Sequence, residues 1–170
     1  MMSMNGITLG PVEERDIPVL YDWINDPDLI HLSSTYKPVH EVQHIEWFNS
    51  LSKASDRVIF AIRNEAGDLV GTIQLVNIHP VFRHAELIVR IGDTANQSRG
   101  YGSAALRLLL EYAKRDLNLK RIFLHVFASN MRAIKAYENV GMQKEGCLRS
   151  HVYIDGQWDD LLIMGCLLDE

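Results

Sequence analysis

The stretch Gln97-Ser98-Arg99-Gly100-Tyr101-Gly102 decides how this sequence folds. Before it stands Ala85-Glu86-Leu87-Ile88-Val89-Arg90-Ile91, an apolar run rich in β-branched residues that reads as a strand. Gly92 to Asn96 is a polar turn. After it, from about Ser103 to Asp116, Leu106, Leu109, Leu110, Ala113 and Leu117 recur at helical spacing, with Arg107, Glu111, Lys114 and Arg115 on the wet face. A strand, a glycine-rich turn and a helix start together make a cradle for phosphate. Gly100 and Gly102 have no Cβ, so the backbone can turn tightly and a ligand can approach it. The first N–H groups of a helix have no partner within it and carry the positive end of its dipole, so a diphosphate can accept hydrogen bonds from them. Arg99 adds a full charge. A lone G-x-G is equally compatible with a plain helix start after a turn. Two other nucleotide motifs are excluded: there is no G-x-x-x-x-G-K-S/T, and Ala105 stands where the dinucleotide fingerprint has its third glycine.

The chain has 170 residues, enough for one domain, 1–170, with a substantial core. Apolar residues make up 47% and charged residues 23%, a soluble globular balance rather than a disordered one. A net charge of −5 argues against nucleic acid as a partner and suits a cationic substrate. Cys147 and Cys166 are far apart and form no C-x-x-C, which predicts two buried thiols in a reduced, cytoplasmic protein. The start M-M-S-M-N-G has no signal-peptide pattern, and no apolar stretch is long enough to span a membrane.

In chain order, Ile7-Thr8-Leu9 is a strand, and Glu13 to Asp16 opens a helix that Asp26-Pro27 stops. Residues 29–38 read as loop. A second helix runs from about His40 to Ser52, with Val42, Ile45, Phe48 and Leu51 facing inward. Arg57–Arg63 and Leu69–Ile78 form a hairpin through Glu65-Ala66-Gly67-Asp68. Beyond the glycine-rich turn and its helix come a strand at Arg121–Phe127, a helix at Asn130–Val140 closed by Gly141, and strands at Met142–Leu148, Val152–Ile154 and Trp158–Leu168. The order β-α-α-β-β-β-α-β-α-β-β predicts an α/β (mixed α+β) domain, a mixed sheet with helices on both faces.

The segment from Ala85 to Met142, with its Q-S-R-G-Y-G, L-H-V-F-A-S-N and A-Y-E-N-V-G-M, resembles the GCN5-related N-acetyltransferases (GNAT). Within them it is similar to the branch of ribosomal-protein N-terminal acetyltransferases and bacterial spermidine acetyltransferases, and E-G-C-L-R with Y-I-D-G-Q-W-D-D extends the likeness. The resemblance implies the GNAT fold, a mostly antiparallel central sheet of about seven strands. It also implies acetyl-CoA as cosubstrate, and a small amine, a polyamine or a protein N-terminal α-amine as acceptor. A homo-oligomer is left open. Residue by residue, it implies that the backbone of Val89, Arg90 and Ile91 holds the pantetheine arm, that Gln97, Ser98, Arg99, Gly100, Tyr101, Gly102 and Ser103 hold the pyrophosphate, and that the Asn130 amide bonds the pantetheine. Tyr137 would return a proton to the CoA thiolate, and Glu86 would stand near the amine as base. The turn before Gln97 is slightly longer than in the spermidine enzymes, which lets the strand-end assignments shift. The residues alone also allow Asn130 to be a helix cap, Tyr137 a core aromatic and Glu86 a surface carboxylate. Asp22, Asp26, Asp28, Glu41 and Glu46 lie in the segments that border the acceptor in relatives and favour a cationic amine.

His40-Glu41-Val42-Gln43-His44 satisfies the zinc-protease pattern H-E-x-x-H. Trp47 and Ser50 stand where the continuation of a zinc site would place glycine and histidine, so no metal is expected and the histidines read as an exposed first helical turn. In the acetyltransferase reading His40, Glu41 and Trp47 border the acceptor. A non-catalytic acyl-CoA sensor is the alternative to an enzyme.

Overall fold

The computed structural model describes residues 1–92 and 99–169. The strands are β1 (Met2–Met4), β2 (Ile7–Gly10), β3 (Val58–Arg63), β4 (Leu69–His79), β5 (His84–Ile91), β6 (Arg121–Phe127), β7 (Gln143–Ile154) and β8 (Gln157–Leu167). The helices are α1 (Ile17–Ile24), α2 (Pro27–Ile30), α3 (Glu41–Ser50), α4 (Tyr101–Arg115) and α5 (Met131–Glu138). The strands form one sheet in the order β1-β2-β3-β4-β5-β6-β8-β7. Every neighbouring pair is antiparallel except β5 and β6. The mixed sheet with helices on both faces, expected from the element order, is present.

The core lies between the sheet and α4. Ile73, Leu75 and Ile122 are fully buried on one face, and Ala105, Leu109 and Ala113 of α4 close over it. Small residues at 104, 105 and 113 let the helix lie close to the strands. α5 adds Ile134 to the same cluster. On the opposite face α1, α2 and α3 cover the β3–β5 region.

Four local expectations need correction. Met2–Met4 is a strand, paired with β2 through Asn5-Gly6, both at positive φ (47° and 81°), as a tight Asn-Gly hairpin requires. Pro27–Ile30 is a short helix rather than loop, capped by Asp26, whose carboxylate accepts from the Asp28 N–H at 2.9 Å. The two strands expected between Met142 and Ile154 are one long β7, and shifts of register at Glu145 and between Leu148 and Val152 account for the apparent break. Cys147 is exposed, its Sγ 3.6 Å from Asp160 Oδ2, because it sits on the edge strand; Cys166 is half-buried.

One buried ion pair ties α1 to the sheet. Arg63 Nη2 and Nη1 donate to Asp16 at 2.7 and 3.0 Å, and Asp16 also accepts from the Glu13 N–H at 2.8 Å. Asp16 is 3% exposed and the Arg63 side chain 12%. Burial acts to raise the Asp16 pKa, but the Arg63 and Glu13 hydrogen bonds outweigh it and hold the carboxyl below the usual range. A lowered folded-state pKa means that this stabilisation is present above the unfolded value and is lost as pH falls through the folded one. Asp16→Asn leaves Arg63 only the half-exposed Glu13 carboxylate, 3.6 Å from Nη2, as counter-charge, so chemical denaturation should show a loss of about 3 kcal/mol.

Candidate active site

The parallel pair β5–β6 is bonded for only a short distance. His84, Ala85 and Glu86 face Arg121, Ile122 and Phe123 in register, and beyond Glu86 the pairing ends. β5 continues bonded to β4 as far as Ile91, and β6 continues bonded to β8 as far as Phe127. The two strands therefore part into a wedge whose walls are Leu87–Ile91 and Leu124–Phe127. Main-chain groups on the inner edge of each wall have no strand neighbour there, so an extended ligand can take the place of one.

The glycine-rich turn opens α4 beside this wedge. Gly100 is the residue before the helix, with φ 79° and ψ 3°, and among the described residues beyond its chain neighbours no atom lies within 4 Å of where its Cβ would stand. The first intrahelical bond runs from the Ala104 N–H to the Gly100 carbonyl at 3.0 Å. The N–H groups of Tyr101, Gly102 and Ser103 precede it and point out of the helix end. Among the described residues a Cβ on Gly102 would meet Ile91, at 4.0 Å, so the helix start abuts the end of β5. Arg99 is exposed and Tyr101 packs against the core. Gln97 and Ser98 lie outside the described residues.

α5 follows directly from the β6 wall. Asn130 is its cap: the side-chain carbonyl accepts from the Ala133 N–H at 3.2 Å, leaving the amide NH₂ to donate elsewhere. The loop before it is pinned to β8, where Ser129 N–H donates to Asp159 at 3.1 Å and Ala128 N–H to the Asp160 carbonyl at 2.9 Å. Tyr137, two turns along α5, packs against the core, and burial pushes its phenol up to about 12. The hydroxyl is a neutral donor at pH 7.

Glu86 stands where the wedge begins. Its Oε1 lies 2.8 Å from Nδ1 of His125, and the two side chains are 23% and 35% exposed. His125 follows Phe123 by two on β6, so it lies on the same face as Glu86. Sequence reading missed this partner. The signal was a polar residue in the middle of a mostly apolar strand, but only the register of β5 against β6 shows what it faces.

A cavity of about 280 Å³ lies under α1–α3 against the β3–β5 face. Trp23, Trp47, His44, Thr72, Gln74 and Arg90 are among its lining residues. Thr72 and Arg90 are cross-strand partners, so their side chains share the cavity face. Gly92 has room for no Cβ, because the Trp23 ring lies against its backbone. Arg90 is an exposed residue at the edge of the cavity, and partial desolvation of its guanidinium there lowers its pKa.

α3 is turned from the orientation expected of it. Val42 and Ile45 are 66% and 41% exposed, while His44 is 5% exposed. The His44 Nε2 lies 3.1 Å from the Ile17 carbonyl, and its ring stacks on Trp47 with centroids 5.3 Å apart. The imidazole thus replaces an aliphatic residue as the inward contact, and the exposed position expected of it is wrong. His40 instead makes a capping box with Gln43. Trp47 borders the cavity, but His40 and Glu41 do not. None of Asp22, Asp26, Asp28, Glu41 and Glu46 lines it either.

The model of the acetyltransferase (GNAT) domain matches residues 7–143. The spermidine N(1)-acetyltransferase of Vibrio cholerae is 26% identical over 157 residues, covering 91% of this chain and 89% of that protein. The crystal structure of spermidine N-acetyltransferase from Vibrio cholerae in complex with CoA and spermine superposes with a TM-score of 0.88 at 25% identity, covering 96% of both chains. A dodecameric structure of the Vibrio cholerae enzyme gives a TM-score of 0.83 at 25% identity, over 96% of this chain and 95% of that one.

Proposed function

This chain belongs to the acetyltransferase (GNAT) family and transfers acetyl from acetyl-CoA to a primary amine, and we propose that the acceptor is a small amine held in the cavity beneath α1–α3. The observation that carries the reading is the parting of β5 from β6 beside the Gly100-capped start of α4. Acetyl-CoA fits there with its pantetheine arm along the backbone of Val89, Arg90 and Ile91 and its diphosphate on the N–H groups of Tyr101, Gly102 and Ser103, with Arg99 at hand. Gln97 and Ser98, outside the described residues, are proposed as further pyrophosphate contacts from their place in the sequence. The free amide of Asn130 suits the pantetheine from the other wall.

The amine nitrogen attacks the thioester carbonyl carbon directly; the C–S bond breaks, giving the N-acetyl amine and CoA thiol. One proton leaves the amine and one reaches the thiolate. Glu86, beside His125, accepts the first, and Tyr137, protonated at neutral pH, supplies the second. Deprotonation of a lysine-like amine at pH 7 costs about 4.6 kcal/mol and of an α-amino group about 1.1. The base therefore matters more for the first kind. Glu86→Gln should lower kcat/KM by about 10²–10⁴-fold. His125→Ala should cost less, because its role is to orient the carboxylate; equal losses in steady-state kinetics would make His125 an equal participant.

The size of the cavity supports a small molecule over a protein N-terminus. Relatives that act on spermidine make a polyamine the first acceptor to assay. The dodecameric relative supports a homo-oligomer, and dependence on acetyl-CoA supports a cytoplasmic location. The test is CoA release from acetyl-CoA across a panel of primary amines. Turnover of at least one is expected. Tight acetyl-CoA binding without turnover of any would favour the non-catalytic sensor.

A further inference from the structure

Leu20, Trp23 and Ile24 of α1, Leu29 and Ile30 of α2 and Trp47 of α3 line the cavity beneath these helices. None of the six belongs to the core between the sheet and α4. Both tryptophans are backed. The Trp23 ring lies against the backbone of Gly92, where a side chain would displace it. Trp47 stacks on His44, whose Nε2 lies 3.1 Å from the Ile17 carbonyl. A ring backed in this way keeps its orientation, so an apolar partner meets it at little cost in side-chain entropy. Thr72 and Gln74 of β4 add neutral polar groups to the lining. Arg90 is exposed at the edge, on the strand end proposed for the pantetheine arm.

The register of β4 against β5 sets the reach from the base to this cavity. The pairs Val76–Glu86, Gln74–Ile88 and Thr72–Arg90 follow one another on one face of the sheet. Gln74 and Thr72 line the cavity, and Glu86 stands one pair further along. Two residues of strand span about 7 Å. The group attached to a nitrogen at Glu86 must cover that length before it enters the cavity. A short alkyl linker followed by an apolar body does so.

We propose that the acceptor is a primary monoamine whose nitrogen meets Glu86 and whose body, an alkyl chain or an aromatic ring on a short linker, is buried against Trp23 and Trp47. The inference rests on the acetyltransferase reading of the same site and names the class of its substrate. A cavity of about 150 Å³ is enough for a benzene ring; this one, about 280 Å³, takes a ring and its linker. A second ammonium in the same place would lose its water among Leu20, Ile24 and Leu29, and a tryptophan face returns only part of that cost. An apolar body gains from the same surroundings, because each methylene buried there leaves water.

The experiment measures kcat/KM with acetyl-CoA for the straight-chain amines from ethylamine to hexylamine, for phenethylamine and tryptamine, and for diaminobutane and spermidine. kcat/KM should rise about fourfold for each methylene buried, and phenethylamine should exceed ethylamine by about 10–100-fold. Trp47→Ala should flatten the rise through KM, and Trp47→Phe should keep part of it. Gln74→Glu keeps the shape of the lining and adds a carboxylate, so it should move the preference from butylamine towards diaminobutane by about tenfold. Binding is read apart from turnover by calorimetry, with phenethylamine added to the protein saturated with CoA. If no amine is acetylated, yet phenethylamine binds and Trp47→Ala abolishes that binding, the catalytic reading fails and this one stands. Equal rates along the alkyl series, a wild-type preference for spermidine over phenethylamine, a rise that survives Trp47→Ala, or no move in Gln74→Glu would overturn it.

Discussion

Tyr137→Phe should lower kcat by about 10²–10⁴-fold while leaving the dissociation constant for acetyl-CoA nearly unchanged. The thiolate leaving from CoA needs a proton, and a phenol that stays neutral at working pH can give one. Burial pushes the Tyr137 pKa up to about 12, so the hydroxyl is protonated across the whole neutral and mildly alkaline range. The sign of the pH dependence follows. kcat/KM should climb with pH as the acceptor amine loses its proton, and no descending limb from Tyr137 should appear until pH approaches about 12. Phenylalanine keeps the packing against the core and removes only the oxygen. A kcat near that of the wild type, with chemistry rate-limiting, would reduce Tyr137 to a packing residue.

Gly100→Asp should abolish acetyl-CoA binding at concentrations that saturate the wild-type protein. Gly100 has φ 79°, a conformation that costs an L-residue about 1–2 kcal/mol, although Asp and Asn tolerate it better than most. No described residue beyond its chain neighbours crowds its Cβ position, so the variant should fold. What changes is the end of α4. A carboxylate would sit on the N–H groups of Tyr101 to Ser103, competing with the diphosphate for the same donors and repelling it. Gly100→Asn repeats the shape without the charge and should bind more weakly than wild type but measurably. Unchanged calorimetric affinity in a folded Gly100→Asp protein would sink the assignment of this turn to the diphosphate.

The parts of the fold that periodicity specifies were legible. α4 carries a long apolar stripe, and β6 is a mostly apolar run at its observed bounds, interrupted by His125. The turn chemistry was read unevenly: Asn5-Gly6 is a strong hairpin signal, but its first strand is only three residues long and offers no alternation to read. α3 misled because its aliphatic residues suggested one buried face, and the chain buried an imidazole instead, where a backbone carbonyl could satisfy it. Glu86 could be proposed from the family resemblance alone, whereas its partner His125 needed the β5–β6 register. The chemistry of the acceptor site was least visible. Acidic residues in α1–α3 could be counted, but which of them face outward is set by packing, and the cavity is instead apolar with Arg90 in it.

The most direct test is a crystal structure of the protein soaked with acetyl-CoA. The pantetheine should lie between β5 and β6, hydrogen-bonded along Val89 to Ile91, with the diphosphate on the N–H groups at the start of α4 and the thioester between Glu86 and Tyr137. Acetyl-CoA bound elsewhere, or in the wedge with its thioester turned away from the cavity under α1–α3, would contradict the account.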